Sequence, residues 1–223
     1  MNQNCSKCKY SFNAYGYLQC SATKMAPPCK YIDECDCFNE LTSKPILIGF
    51  AGKARHGKTT AALALKGYLE QGDWKVIISP CAKALKEIAK NVGWDGEKDE
   101  RGRTLLQKLS DPIKAYFGDD YYAKMAVKYG IEQKADIILV DDVRMFPEVN
   151  YFNSLADGQL SKCYLFRINR PNFKSDLSED QLNDKSETQL DNYFNENEII
   201  VNDGTIDDLT KKIINKIRER ELL

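Results

Sequence analysis

The residues best suited to carry chemistry in this chain lie together between Gly52 and Thr59, a stretch that reads GKARHGKT. It matches the phosphate-binding pattern G-x-x-x-x-G-K-[ST], in which glycines let the backbone turn tightly and direct its N–H groups toward phosphate oxygens. Lys58 would reach the β- and γ-phosphates of a nucleotide, and the Thr59 hydroxyl would ligate Mg²⁺. The predicted nucleotide-binding residues are Gly52, Lys53, Ala54, Arg55, His56, Gly57, Lys58, Thr59 and Thr60.

The elements on either side of this stretch are those that a phosphate-binding loop needs, a buried strand before it and a helix after it. Pro45 is followed by an apolar run, residues 46–51, that is typical of a central parallel strand. Residues 58–70 are rich in Ala and Leu and contain no Pro, which indicates a helix whose N-terminus faces the anion. This context favours a phosphate site over a surface loop that fits the pattern by chance.

A second apolar run, residues 137–140, leads directly into Asp141 and Asp142. A carboxylate at the end of a buried strand could hold Mg²⁺ or its waters, because in phosphoryl transfer the metal bridges the β- and γ-oxygens. An Asp in this place also serves commonly as a turn or helix-capping residue. Together with the loop, the pair predicts a metal site, with Asp141 assigned to nucleotide binding and Asp142 to catalysis.

Arginines placed near the predicted strand ends indicate where a transferred phosphoryl group would be received. Guanidinium groups make planar, bidentate hydrogen bonds to phosphates, and charge develops on the acceptor side during transfer. Arg144 follows the acidic pair, and Arg167 and Arg170 flank the start of a long polar segment. With 32 Lys and Arg in the chain, most such residues are expected to be solvated surface charges.

From Pro45 onward, short apolar runs alternate with helical stretches, which predicts one α/β domain over residues 45–223 with a largely parallel sheet. The excursion over residues 81–134 is longer than a crossover needs and is predicted to be a substrate-binding insertion with helices broken near Pro112 and Gly118. Residues 169–197 are polar and are predicted to form a mobile, lid-like segment. The predicted strands are residues 46–51, 74–79, 136–141, 162–168 and 198–202.

Six of the eight cysteines lie before residue 40, which marks residues 1–40 as a separate Cys-rich segment. The segment has few large aliphatic residues, and units below about 40 residues seldom fold on an apolar core alone. Closely spaced cysteines in a cytosolic protein bind metal more often than they form disulfides. Reduced thiols on a draped segment and an iron–sulfur cluster are the alternatives. The preferred Zn²⁺ ligands are Cys5, Cys8, Cys20 and Cys37, with Cys29 or Cys35 as substitutes.

Length and composition allow one medium domain plus a small appendage, since the chain has 223 residues of which 43% are hydrophobic. A formal net charge of -1 argues against a nucleic-acid-binding surface. No apolar run reaches the length of a membrane span and the first residues lack a signal-peptide core, so we expect a cytoplasmic protein without a membrane partner. A homodimer is compatible with the sequence. The one histidine, His56, lies in the loop, which leaves no Ser-His-Asp or Cys-His nucleophile.

From about Pro45 to its C-terminus the chain resembles the phage-type deoxynucleoside monophosphate kinases, members of the P-loop nucleoside monophosphate kinase superfamily that phosphorylate dNMPs with ATP. The resemblance implies a three-layer P-loop NTPase fold with a five-stranded, mainly parallel sheet. It also implies that Arg103 and Arg144 contact the monophosphate and that Arg167 and Arg170 lie near the lid. The catalytic set is then Lys58, Arg103, Arg144, Arg167, Arg170 and Asp142. The stretches that carry the resemblance are GKARHGKTT, CAKALKEIA, WDGEKDERGRTLLQKL, IILVDDVRMFPE, FRINRP, DKSETQLD and IIVNDGTIDDL.

The chain departs from the family pattern in places that bear on substrate choice. Met145 stands where the family usually has an aromatic residue, which affects the expected base preference. Lys114 stands where an Arg is common, and a compact ammonium lacks the bidentate fork that a phosphate prefers. Residues 169–197 carry more acidic than basic side chains, unlike an Arg-rich lid.

The function expected from these residues is ATP-dependent phosphorylation of a deoxynucleoside monophosphate to the diphosphate, with Mg²⁺ as cofactor. A P-loop kinase of another small acceptor, such as dephospho-coenzyme A, would show much the same loop and acidic strand end. A non-enzymatic ATP-binding module with a zinc-binding head is the alternative outside enzymes.

Overall fold

Five short apolar segments pair into a single parallel sheet, and their order places the phosphate loop at its centre. In this computed structural model, which describes residues 11–14, 17–20, 44–97, 99–155, 159–175 and 177–220, the order is β4-β5-β3-β6-β7 and every pairing is parallel. The predicted α/β class with a five-stranded parallel sheet is confirmed. The strands are β3 (Ile46–Ala51), β4 (Val76–Ile78), β5 (Ile137–Val143), β6 (Lys162–Asn169) and β7 (Ile199–Val201).

The chain divides into two compact units, Met1–Ser43 and Lys44–Leu223. In the first unit, β1 (Ser11–Ala14) pairs antiparallel with β2 (Tyr17–Cys20). Of the predicted zinc ligands, Cys20 ends β2. The others, Cys5, Cys8 and Cys37 with the substitutes Cys29 and Cys35, lie outside the described residues, so the zinc site stays a prediction.

Helices cover both faces of the sheet because alternate residues of its strands point to opposite sides. In β3, Leu47 packs into one core together with α4 and α5, while Ile48 and Phe50 pack into the other core against α1 and α8. The result is a three-layer sandwich. The helices are α1 (Lys58–Leu69), α2 (Ala82–Asn91), α3 (Glu100–Phe117), α4 (Tyr121–Glu132), α5 (Phe146–Ser154), α6 (Glu179–Leu182), α7 (Lys185–Thr188) and α8 (Ile206–Glu219).

The long excursion between β4 and β5 consists of three helices, α2, α3 and α4. The predicted break at Gly118 is confirmed, since α3 ends at Phe117, but the predicted break near Pro112 is wrong. Pro112 lies inside α3 at an exposed position. A proline removes the hydrogen bond to the carbonyl four residues earlier, here that of Lys108. Lys108 is also exposed, so water can satisfy its carbonyl and the helix continues.

The polar segment after β6 is more firmly packed than its composition predicts. Leu190 and Phe194, four residues apart, are 4% and 9% exposed and belong to the core that α4 and α5 also line. Two apolar side chains thus anchor this part of residues 169–197 to the domain, and the mobile, lid-like character of the segment stays a prediction. Within the described ranges, no helix is long and apolar enough to cross a bilayer.

Candidate nucleotide-binding site

The loop between β3 and α1 has the backbone geometry that its two glycines permit. Gly52 has φ 135° and Gly57 has φ 102°, values that side chains with a Cβ rarely adopt. A Cβ on Gly52 would overlap the carbonyl oxygen of Ile168, and one on Gly57 would lie 2.6 Å from Nδ2 of Asn202. Close packing against β6 and the end of β7 therefore requires glycine at both positions.

The N-terminus of α1 is open toward the loop. Its capping residue, Gly57, has no side chain to accept from the first N–H groups, and the first turn contains no acidic residue. Unsatisfied N–H groups and the helix dipole together favour an anion at such an end. The geometry fits a phosphate in contact with the loop backbone, as the sequence pattern predicts.

Lys58 folds back over the loop that it serves. Its Nζ donates to the carbonyl oxygens of Gly52 at 2.6 Å and Lys53 at 2.8 Å, and the residue is only 7% exposed. Burial, followed by the nearby charge of Arg144, lowers the pKa of Lys58 to about 8. The carboxylates of Glu187, Asp142 and Asp141 oppose this shift, and an anionic ligand beside Nζ would oppose it further, so the buried ammonium favours an anion.

Thr59 and Asp141 meet across the neighbouring elements α1 and β5. The Thr59 hydroxyl donates to Oδ2 of Asp141 at 2.6 Å, although the two residues are 82 positions apart in the chain. The other carboxylate oxygen, Oδ1, is buried and has no hydrogen-bond partner among the described residues. A hydroxyl beside a carboxylate oxygen that lacks a partner is a donor set suited to Mg²⁺, so these residues fit the predicted metal.

A bulge in β5 separates the roles of the two acidic residues. Gly49 pairs with Val140 and Ala51 pairs with Val143, so β5 contains one more residue than β3 over this stretch. While Asp141 faces Thr59, Asp142 accepts from the backbone N–H groups of Cys81 at 2.7 Å and Ala82 at 2.9 Å. Burial raises the pKa of Asp142, and those donors oppose the rise. Asp142 thus fixes the start of α2, a capping role of the kind that sequence reasoning gave as the alternative.

Arg144 is tied to the phosphate loop through a carboxylate that the sequence analysis did not single out. Glu187 Oε1 accepts from Nη1 of Arg144 in a short ion pair, and Glu187 Oε2 accepts from the backbone N–H of Ala54 at 2.6 Å. The Glu187 side chain is 6% exposed and that of Arg144 is 31% exposed. One carboxylate thus bridges the loop and the arginine that is predicted to receive the phosphoryl group.

A second carboxylate from the same part of the chain meets a second pair of cations. Asp191 pairs with Nη2 of Arg167 at 2.5 Å and with Nζ of Lys53 at 3.2 Å. Nη1 of Arg167 donates to the carbonyl oxygen of Leu190 at 2.7 Å, and Arg167 is 8% exposed. Through these contacts, Arg167 anchors residues 184–194, which we call the acidic segment.

His56 connects the loop to the ends of β6 and β7. Its Nδ1 accepts from the backbone N–H of Arg170 at 3.1 Å, and its carbonyl oxygen accepts from Asn202 Nδ2 at 2.9 Å. Burial and then the charge of Lys58 lower the pKa of His56, which favours the neutral ring that its accepting Nδ1 requires. The Arg170 guanidinium lies 4.9 Å from the ring centroid of Phe173. Beside them is a cavity of about 360 Å³, lined by residues 170–174 and 202–204.

The remaining predicted residues of the site are Arg55, Thr60 and Arg103. Arg55 is exposed at the tip of the loop with φ 61°, and Thr60 follows Thr59 in α1. Arg103 is half-buried in α3, and its backbone N–H donates to Asp99. The contacts that the structure describes for Arg103 do not include any of the phosphate loop, so its predicted role is neither supported nor replaced.

Lys114 and Asp184 mark the side of the site that faces α3. The hydrogen bond from Ser186 lowers the pKa of Asp184, and the charges of Arg144 and Lys114 lower it further. Lys114 and Arg144 therefore act on one carboxylate together. Two cations from different elements thus act on the residue that caps the start of α7.

Glu148 completes the surroundings of Arg144. Its Oε2 accepts from the backbone N–H groups of Arg144 at 2.7 Å and Met145 at 3.0 Å, which caps the start of α5. Burial raises the pKa of Glu148 to about 7. The sequence signal that could have found it is a Glu in the first turn of a helix that begins at Phe146-Pro147, directly after Arg144.

Comparisons with known proteins yield similar folds and no relative by sequence. No protein-family model and no curated protein matches the chain. Similar solved structures include an APS kinase mutant from Mycobacterium tuberculosis, with a TM-score of 0.43 and 13% identity, the match covering 79% of this chain and 99% of that one. A hexameric APS kinase from Thiobacillus denitrificans has a TM-score of 0.43 and 12% identity, and the match covers 82% of this chain but 30% of that chain. The chain's own sheet order and loop geometry establish a three-layer P-loop fold.

Proposed function

We propose that this chain transfers the γ-phosphoryl group of ATP to a deoxynucleoside monophosphate. The observation that carries the proposal is the contact of Thr59 with Asp141 near Lys58 and the open end of α1. The second oxygen of Asp141 is buried and finds no hydrogen-bond partner in the part of the chain that the structure describes. This is the arrangement that a nucleoside triphosphate and its metal require. The resemblance in several ordered stretches supplies the acceptor class.

The donor nucleotide would lie along the loop with its base toward β6 and β7. Ligands of open α/β sheets bind beyond the carboxyl ends of the strands, and the 360 Å³ cavity beside Arg170 and Phe173 is at that edge. An arginine and an aromatic ring can stack on a nucleobase. The neutral His56 ring, held by the backbone of Arg170, joins this cavity to the phosphate loop.

The acceptor would lie on the side of Arg144 and Lys114, which supply positive charge near Asp184, and the family resemblance adds Arg103. The Arg144 side chain is 31% exposed, so part of its guanidinium is open to a ligand while Nη1 is held by Glu187. Arg170 would serve the donor side, and Arg167 would hold the acidic segment in place. Asp142 would act by positioning α2, with Asp141 as the residue that faces the metal.

In the reaction, an oxygen of the acceptor's 5′-phosphate forms a bond to the γ-phosphorus, and the bond to the β–γ bridging oxygen breaks, giving ADP and a deoxynucleoside diphosphate. Mg²⁺ held by Thr59 and Asp141 would neutralise charge on the β- and γ-phosphates. Lys58 would leave the loop carbonyls and contact the γ-phosphate. Arg144 would hold the acceptor phosphate in line, so that catalysis comes from positioning and electrostatics.

A coupled assay of ADP release tests the proposal with Mg·ATP and a panel of acceptors. The panel contains the four dNMPs, the NMPs, dephospho-coenzyme A, and APS, which the similar solved structures are named for. We expect turnover with at least one dNMP above the rate with water. Turnover with dephospho-coenzyme A or APS but with no dNMP would show that the acceptor is that compound and not a dNMP. Binding of Mg·ATP without any transfer would favour the ATP-binding module.

Zn²⁺ bound by four of the cysteines in residues 1–40 remains part of the proposal, on sequence grounds alone. Elemental analysis of anaerobically purified protein is expected to give one zinc per chain. Iron with sulfide in its place would indicate a cluster, and the absence of any metal would favour reduced thiols.

A further inference from the structure

Glu187 contacts two parts of the proposed active site at once. Its two carboxylate oxygens accept from Arg144 and from the backbone N–H of Ala54, a residue 133 positions away in the chain. Ala54 belongs to the phosphate loop, and Arg144 follows the strand that carries the metal-facing Asp141. The carboxylate of Glu187 therefore connects the phosphate loop, on the donor side of the proposed site, with Arg144 on the acceptor side.

We propose that Glu187 is a positioning residue, which holds Arg144 beside the phosphate loop in the orientation that binds the acceptor's phosphate. This inference rests on the proposed function, because it concerns the acceptor site of the same reaction. Glu187 does not itself touch the reacting atoms.

The burial of the two side chains supports positioning. The Glu187 side chain is 6% exposed, whereas 31% of the Arg144 side chain is exposed. Arg144 is thus partly open to solvent, while the carboxylate that pairs with it is buried. An arginine held at one nitrogen keeps other N–H donors for a phosphate, and a fixed guanidinium loses less side-chain entropy when it binds.

The rest of the acidic segment keeps Glu187 in place. Leu190 and Phe194 are buried in the core, and Asp191 pairs with Arg167 and Lys53. The one-turn helix α7, which carries Glu187, is capped by Asp184, whose side chain accepts from the backbone N–H of Ser186. A carboxylate fixed from both sides can direct an arginine, which a side chain on a loose loop could not do.

The alternative is that Glu187 stands in for a phosphate and leaves when the substrate arrives. The two ideas predict opposite changes in the acceptor's KM. If Glu187 positions Arg144, its neutralisation weakens acceptor binding. If Glu187 competes with the acceptor, its neutralisation strengthens acceptor binding.

The test uses Glu187→Gln, Arg144→Ala and the double variant in the full chain, with Glu179→Gln as the matched control. Gln keeps an oxygen for the Ala54 N–H and removes the charge that pairs with Arg144. Glu179 is an exposed carboxylate in α6 of the same polar stretch, so the same change there should leave kinetics unaltered. KM and kcat are measured separately for acceptor and ATP, with the best acceptor from the panel.

We expect Glu187→Gln to raise the acceptor's KM by about tenfold or more and the KM for ATP by less than about twofold. In the Arg144→Ala background, Glu187→Gln should add no further change in acceptor kcat/KM, because Glu187 acts through Arg144. Additive losses, or a lower acceptor KM in Glu187→Gln, would overturn the inference. If Glu187 had only a structural role, Glu187→Gln would change the stability of the protein without raising the acceptor's KM more than the KM for ATP.

Urea unfolding of the wild type, the two single variants and the double variant separates this inference from the proposed function. Arg144→Ala leaves a buried carboxylate unpaired, so it should lower the unfolding midpoint more in the wild-type background than in the Glu187→Gln background. If no acceptor is phosphorylated by the wild type, the proposed function fails, and the unfolding cycle alone decides whether Glu187 holds Arg144. Equal midpoint shifts in both backgrounds would show that it does not.

Discussion

The phosphate loop and the acidic segment hold charges around the same centre, but by different physical means. The loop is a local device, in which two glycines and Lys58 act within eight consecutive residues. The acidic segment depends on distant partners, since Glu187 and Asp191 meet cations supplied by the loop, by β6 and by the residue that follows β5. A local device leaves a motif in the sequence, whereas a set of long-range ion pairs leaves only unpatterned charges.

Replacing Lys58 should have the largest effect and would show how far the loop works without the acidic segment. Lys58→Ala is expected to lower the rate of phosphoryl transfer by about 10³-fold, because a buried cation at the developing charge is lost. ADP release measures the rate, and circular dichroism checks that the fold is intact. Lys75→Ala, at an exposed position before β4, is the control. Retained turnover in a folded Lys58→Ala variant would exclude Lys58 from the mechanism.

The second largest effect is expected for Asp141, which contacts Thr59 at the end of the phosphate loop. Asp141→Asn should reduce kcat by about 100-fold and raise the Mg²⁺ concentration needed for half-maximal rate, because an amide oxygen is a weaker ligand for a hard cation. A Mg²⁺ titration of the rate measures both effects. An unchanged Mg²⁺ dependence would assign the metal to another residue, with Asp142 the next candidate.

Removing an anchor of the acidic segment tests whether packing or charge holds that segment. Leu190→Ala should destabilise the protein by about 2 kcal/mol, the lower end for a buried leucine, because a segment at the rim of the core can partly collapse into the space. It should also raise the acceptor's KM, since Glu187 lies three residues earlier. Urea unfolding and acceptor kinetics measure the two effects, with exposed Leu63→Ala as control. A stability loss without a kinetic change would separate the anchor from the site.

The smallest expected effect concerns Glu148 and its pH dependence. Since the pKa of Glu148 is raised to about 7, the folded protein binds more protons than the unfolded one from about pH 4.5 to 7, and this group makes stability fall as pH rises through that window. Glu148→Gln keeps an acceptor for the two backbone N–H groups and should remove that fall, so that its stability varies less with pH over this window. Urea midpoints of both proteins at pH 5 and 7.5 measure the difference. Parallel pH profiles would contradict it.

The sequence predicts the local parts of this molecule well. The five strands of the parallel sheet and the strand-loop-helix at Gly52 follow from short apolar runs and one motif. The break assigned to Pro112 is wrong because a single exposed carbonyl can be satisfied by water. Such an outcome depends on the surroundings of the residue and not on its type.

The parts that sequence reasoning missed are those that join distant residues. Glu187 pairs with groups 43 and 133 positions away, and nothing near it in the sequence sets it apart from other acidic residues. Leu190 and Phe194, spaced by four, are a short apolar signal that the surrounding polar residues obscure. Residues such as these become recognisable only when the sheet has brought their partners together.

The bulge in β5 has a consequence for engineering this protein. Because Asp141, Asp142 and Val143 oppose only Phe50 and Ala51 of β3, the strand contains one residue more than its partner over that stretch. Deleting either aspartate would remove the bulge and leave Val143 opposite Ala51, on the same face as Val140, so β5 would keep its register but lose one of its two carboxylates. A homologue with a one-residue gap at this place would therefore keep the strand pairing with a single aspartate, which could serve either Thr59 or the start of α2 but not both.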